Sequence, residues 1–171
     1  MPKRTQNIGF PQEGVRALHR RLEEGGIPHA FGGALALAHY AQPRETVDID
    51  VNVFVPVERW PEVRDALAPL GIGVEGGEEQ LAREGQIKLK WDENPVHLFF
   101  SCDPLHEEME RRVRTVPCAG GTIPLVAPEH LVIRKTILGS PKDLQDIEQI
   151  LASCPTDMDE VEEWVKRLSP D

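Results

Sequence analysis

The chain has 171 residues and a mass of 19.1 kDa, enough for one good hydrophobic core and too little for two independent ones. Its 29 acidic against 19 basic residues leave a formal charge of −10 and a pI near 5.1, which excludes the basic footprint of a tight, nonspecific nucleic-acid binder. No stretch is apolar for long enough to span a bilayer, and the amino end MPKRTQNIGF lacks the apolar run of a signal peptide, so the expectation is a cytoplasmic protein.

Phe10 and Pro11 introduce a predicted helix whose Val15, Leu18 and Leu22 share a stripe for packing, and Gly25-Gly26 ends it. Ile27 to Phe31 follows as the first strand. Gly32 and Gly33 then precede the apolar helix ALALAHYA, where backbone N–H groups at the helix start are able to hold a phosphate; as a bare pattern, a glycine pair is equally a turn. The stretch Val47 to Val55 alternates. Val47, Ile49, Val51, Val53 and Val55 fall on one face, and Asp48, Asp50 and Asn52 on the other. Side chains two apart project the same way, which sets the Cα atoms of Asp48 and Asp50 roughly 6–7 Å apart. Two such anions read either as a solvated acidic strand face or as a pair that binds a hard cation such as Mg²⁺.

A helix from Glu58 to Leu70, closed by Gly71, is expected next, then a short strand over Gly71 to Glu75 whose exit through Gly76, Gly77 and the following acids is a loop. Gln86 to Trp91 and Val96 to Ser101 form a hairpin beside the Asp48–Asp50 strand, with Lys88 and Lys90 on one face, turned either to solvent or to a bound phosphate. Asp103-Pro104 leads into the helix LHEEMERR, and Arg114 to Pro117 pairs with Thr122 to Val126 around Gly120-Gly121. In the helix PEHLVIRKTIL, Leu131, Lys135 and Leu138 share a stripe, so a lysine faces inward, either snorkelling to water or aimed at an anion. SPKDLQDIEQIL reads as an amphipathic helix that carries Leu144, Ile147 and Leu151 to the core. After Cys154-Pro155, Asp157 and Glu160 start a last helix lined by Met158, Val161, Val165 and Leu168, with Trp164 beside them, which docks on the domain or on a second subunit. Cys102, Cys118 and Cys154 have no metal-binding spacing and are expected as reduced, buried thiols.

Taken together, Gly32-Gly33, a helix, and then Arg44-x-Thr46-x-Asp48-x-Asp50 on a strand resemble the DNA polymerase β-type nucleotidyltransferase superfamily, in its small bacterial branch around the AbiEii-type toxins and related nucleotidyltransferase-fold proteins. The resemblance implies an α/β (α+β) fold: a small mixed sheet flanked by helices, in one domain over 1–171, with a core about 27–126 and C-terminal helices about 128–168. It implies that Gly32 and Gly33 contact a triphosphate, that Asp48 and Asp50 hold Mg²⁺ or Mn²⁺, and that Arg44 and Thr46 belong to the nucleotide site. Lys142, Asp143 and Asp146 match the family's closing R-x-K-D-x-x-D pattern, with Ser140 where the arginine stands, and Lys135 and Asp143 would organise the nucleotide pocket.

One departure stands out. Where the superfamily carries a third carboxylate between two apolar residues, this chain reads Val96-His97-Leu98. His97 is therefore either the general base or an inert strand residue. The implied activity is Mg²⁺-dependent transfer of NMP from an NTP to an acceptor hydroxyl with release of pyrophosphate. The alternatives are a catalytically impaired nucleotide-binding or partner-binding protein on the same fold, and a toxin-type enzyme acting on tRNA. Implied partners are the NTP, an acceptor (small molecule, RNA or protein), and a homodimer copy or an antitoxin.

Overall fold

The computed structural model describes residues 12–41, 48–73, 77–92 and 94–169. Helix α1 (Gln12–Glu24) forms where Val15, Leu18 and Leu22 recur at helical spacing, and all three are fully buried. Strand β1 (His29–Phe31) runs directly into α2 (Gly33–Tyr40), and β2 (Ile49–Val53) returns antiparallel to β1. A 3₁₀ turn (Val57–Arg59), α3 (Trp60–Leu67) and a second 3₁₀ turn (Ala68–Leu70) together occupy the predicted Glu58–Leu70 helix, and Gly71 closes them.

Next come α4 (Glu78–Glu84), the hairpin of β3 (Gln86–Leu89) and β4 (Val96–Phe100), and α5 (Pro104–Arg111). The hairpin of β5 (Arg114–Cys118) and β6 (Gly121–Leu125) follows, and α6 (Pro128–Leu138), α7 (Pro141–Ser153) and α8 (Met158–Leu168) complete the chain.

The strands form one mixed sheet in the order β3-β4-β2-β1-β6-β5. The pairs β2–β4 and β1–β6 are parallel, and β1–β2, β3–β4 and β5–β6 are antiparallel. One face is apolar across β2, β3 and β4. Ile49, Val51 and Val53 of β2, Val96, Leu98 and Phe100 of β4, and Ile87 and Leu89 of β3 pack there under α1 and α3. On the other face Ala30 and Val126 join a second core built from α2, α5, α6, α7 and α8, while Asp50, Asn52, His97 and Phe99 remain only half-buried. Period-two alternation thus leaves a polar part of the sheet beside a covered part. No helix among the described residues is long and apolar enough to cross a membrane.

Five expectations need correction, the first being that Leu138, placed on the inward stripe with Leu131 and Lys135, is exposed at the last position of α6. The segment after Gly77 is a helix, α4, because Leu81 is buried and Gly85 stops the turn in a left-handed conformation. The strand expected over Gly71 to Glu75 is reduced, among the described residues, to a single bridge between Gly73 and Lys90. In α7 the inward residues are Asp146 and Ile150, with Ile147 partly buried, whereas Leu144 and Leu151 are exposed. The helix is turned so that Asp146 meets Lys135 of α6 at 2.8 Å, since a buried ammonium requires a buried partner. Finally, Cys102 is exposed and Cys154 is partly exposed, because Cys102 lies past the end of β4 and Cys154 at the end of α7; all three cysteines are free thiols.

Candidate active site

The glycine pair and the acidic strand lie against each other. Gly32 donates its backbone N–H to the Asp50 carbonyl at 3.0 Å. Gly33 has φ +53°, and a Cβ built on it would lie 2.0 Å from Asp50 Oδ2; one on Gly32 would meet Asn52 Nδ2 at 3.1 Å. Only glycine lets the backbone come this close and take this turn. Gly32 is also the N-cap of α2 and offers no side chain to cap it, and the close approach of Gly33 to Asp50 sets the start of the helix beside that carboxylate.

Strand register assembles the rest. Asp50 pairs with His97 and His97 with Lys88, giving a row of acid, imidazole and ammonium across β2, β4 and β3. Asp48 stands two residues before Asp50, just ahead of β2, and its Oδ2 lies 3.5 Å from Lys88 Nζ. Both groups of that pair are well exposed, so it contributes little stability. Lys90 is exposed on the same strand edge.

His97 Nε2 is 2.8 Å from Gln86 Oε1, an acceptor, so Nε2 carries the proton and Nδ1 keeps the lone pair. Burial lowers the His97 pKa and the Lys88 charge lowers it further, against the smaller opposing pull of Asp48 and Glu84. A neutral imidazole with one lone pair is the form a base requires. The Phe99 ring, at a centroid distance of 4.2 Å, flanks it.

The closing motif lies behind α2, which packs against both α6 and α7. Lys135 is buried and bridges Asp146 at 2.8 Å and Asp143 at 3.6 Å, so it does not snorkel. Asp143 forms a capping box with Ser140, and Lys142 is exposed in the first turn of α7. The structure therefore brings Gly32, Gly33, Asp48, Asp50 and His97 together and pairs Lys135 with Asp143 and Asp146 between α6 and α7, both of which pack on α2. Arg44 and Thr46 lie outside the described residues. Gln86, which orients His97, was not anticipated; it is the first residue of the QIKLK alternation, and the hairpin register alone would have brought it near His97.

A hard-cation site fits Asp48 and Asp50, two carboxylates on one strand face beside a close-packed glycine turn. Among the described residues, Cys102, Asp103 and His106 also converge, with ligating atoms within 4.8 Å of one another. They do not suit a metal. Both terminal nitrogens of Arg134 already bind the Asp103 carboxylate, at 2.9 and 3.0 Å, and a cation would have to displace that guanidinium.

No protein-family model and no curated protein sequence matches the chain. Solved structures of nucleotidyltransferases share its fold. The solution structure of the antibiotic-resistance factor ANT(2'')-Ia aligns with a TM-score of 0.62 at 14% identity, over 92% of this chain and 90% of that one. A crystal structure of ANT(2'')-Ia holds adenylyl-2''-tobramycin. The lincosamide antibiotic adenylyltransferase LnuA, solved with lincomycin bound, aligns with a TM-score of 0.60 at 13% identity, over 85% of this chain and 99% of that one. An antigenic nucleotidyltransferase-like protein from Paracoccidioides brasiliensis aligns with a TM-score of 0.54 at 18% identity, over 83% of this chain and 74% of that one. At such identities the likeness is one of fold.

Proposed function

We propose that the chain transfers a nucleoside monophosphate from an NTP to an acceptor hydroxyl and releases pyrophosphate. The observation that carries this reading is the contact of the Gly32–Gly33 turn with Asp50, which sets a helix N-terminus able to bind phosphate beside a carboxylate able to hold a cation. Asp48 and Asp50 would hold Mg²⁺ or Mn²⁺, which when bound neutralises charge on the phosphates and on the attacking and leaving oxygens. The N–H groups of α2 hold the triphosphate, and Arg44, Thr46 and Lys142 add a cation, a hydroxyl and a second cation to it. Gln86 fixes the His97 ring so that Nδ1 takes the proton of the attacking hydroxyl. Lys135, through Asp143 and Asp146, holds α7 in place behind the phosphate-binding helix.

A small acceptor is the reading favoured here. The ANT(2'')-Ia and LnuA structures hold small antibiotic-derived ligands, and a chain of charge −10 repels a polyanion such as tRNA. The replacement of the third carboxylate by His97 favours one other reading, a nucleotide-binding protein without transfer. Pyrophosphate release separates them when each NTP is presented with Mg²⁺ and a panel of hydroxyl-bearing small molecules, with tRNA as a further acceptor. The expected result is release with a small acceptor, reduced by at least about a hundredfold in Asp50→Asn. Nucleotide binding with no release from any acceptor would sink the transfer reading, and release with tRNA alone would overturn the choice of acceptor.

A further inference from the structure

Phe99 is an aromatic ring without a core. Every other phenylalanine, tyrosine and tryptophan among the described residues belongs to one of the two apolar clusters or packs against it, whereas Phe99 is half-exposed on the polar face of the sheet. Register places it between Asn52 of β2 and Gln86 of β3, and its ring lies against His97, with centroids 4.2 Å apart. Folding gains little from a ring left half in water, and a flat ligand laid on it would bury the rest.

The reaction fixes which ligand can reach it. In-line transfer puts the leaving and attacking oxygens on opposite sides of the α-phosphorus. With the phosphates at the glycine turn on the β1 side of Asp50, as in the reading above on which this inference rests, the acceptor enters from the β4–β3 side, over His97. Phe99 stands on that side.

Two lysines give this side its charge. Lys88 and Lys90 are exposed and share the face of His97 and Phe99 by period two, on a strand about 10 Å of sheet from β2 and away from the glycine turn. Lys88 Nζ reaches back to within 3.5 Å of Asp48 Oδ2. Once Asp48 serves a cation, that ammonium is open to another anion. The remaining acid nearby is Glu84, which already meets Arg83 at 3.6 Å and accepts from Gln80 at 3.0 Å.

We propose that the acceptor is a small alcohol or phenol with a flat body that rests on Phe99 and an anionic group, carboxylate or phosphate, held by Lys88 and Lys90. Its hydroxyl oxygen bonds to the α-phosphorus as the bond to the bridging oxygen breaks. The hydroxyl proton passes to His97, and pyrophosphate leaves with the electron pair.

The test is an NMR titration of the full chain, with Mg²⁺ and nonhydrolysable NTP analogues, using probes matched in size. These are para-hydroxybenzoate, its neutral amide, the cationic para-hydroxybenzylamine and the non-aromatic hydroxycyclohexanecarboxylate. The aromatic acid should bind at least about tenfold more tightly than the amide or the amine, and several-fold more tightly than the cyclohexane acid, with shifts centred on Phe99 and Lys88. Lys88→Gln/Lys90→Gln should abolish the preference for acid over amide, and Phe99→Leu the preference for the flat ring. Both variants change side chains outside the cores, so the fold stays in place. No binding of the aromatic acid, equal or tighter binding of the amide or amine, or preferences untouched in the variants overturns the proposal. So does a loss of NTP affinity in Phe99→Leu as large as the loss of probe affinity, which would assign the ring to the nucleobase. Pyrophosphate release is scored separately with the NTPs themselves. The expected preferences without release from any NTP support the anionic-ligand surface and sink the transfer reading; release with neutral or cationic acceptors alone keeps the transfer reading and overturns this proposal.

Discussion

A methyl group at Gly33 would have to occupy the space of the Asp50 carboxylate, 2.0 Å from Oδ2, on a backbone at φ +53°. Gly33→Ala is therefore expected to cost about 1–3 kcal/mol through strain and to turn the Asp50 side chain away from the glycine turn. Thermal unfolding and NTP titration of the variant check both effects, and a wild-type melting temperature with wild-type affinity would mean that the close approach has no role. This position was legible because a glycine pair followed by an acid-bearing strand is a local pattern. The partners of single residues were less so. His19 lies beside Val15, Leu18 and Leu22 on the inward face of α1, as helical spacing indicates, but its meeting with His29 across a turn is a pairing that periodicity does not report.

Among the elements, α6 has the limits its sequence suggests, from Pro128 at its first position to Leu138 before Gly139. Helix α7 does not present the face expected of it, because its orientation is set by the buried Lys135 of α6. Lys135→Met would strand the Asp146 carboxylate and is expected to cost about 3–5 kcal/mol, most of it recovered in Lys135→Met/Asp146→Leu. Denaturant unfolding measures both variants. A single variant as stable as the wild type would contradict the pairing, and NTP binding that stays weak in the stable double variant would show that Lys135 also serves the nucleotide.

The start of α5 carries a second clamp between helices. Asp103 caps it by accepting from the Leu105 N–H at 3.0 Å, and it also accepts from Arg134 of α6. Burial raises the Asp103 pKa, but hydrogen bonds from His106 and Arg134 outweigh it and hold the carboxyl well below the usual range. A depressed carboxyl stabilises the fold fully above its unfolded pKa of about 3.9 and loses that contribution as pH falls toward the folded value. Asn retains the cap without the charge. The stability gap between wild type and Asp103→Asn should thus be widest at neutral pH and close in acid below about pH 4, and a gap constant over that range would contradict the assignment.

At the scale of the molecule, the β1–β2 pair carries a polar cluster at each end. The glycine turn and Asp50 lie at one end of the β1–β2 pair, and the histidine pair lies at the other, where His29 pairs with Val53. The central strands were readable from period-two alternation, and the hairpin beside them from its turn residues, since both signals are local. The order of strands, α4 with its single buried Leu81, and the Arg134–Asp103 clamp depend on partners distant in sequence and were not readable from local pattern. The central claim is that Asp48 and Asp50, beside the glycine turn, form a metal-dependent nucleotide site. Calorimetric titration of the four NTPs with and without Mg²⁺, on wild type and on Asp48→Ala/Asp50→Ala, tests it most directly. The account predicts binding of at least one NTP that requires Mg²⁺ and disappears in the double variant; binding that persists without metal, or without both aspartates, would contradict it.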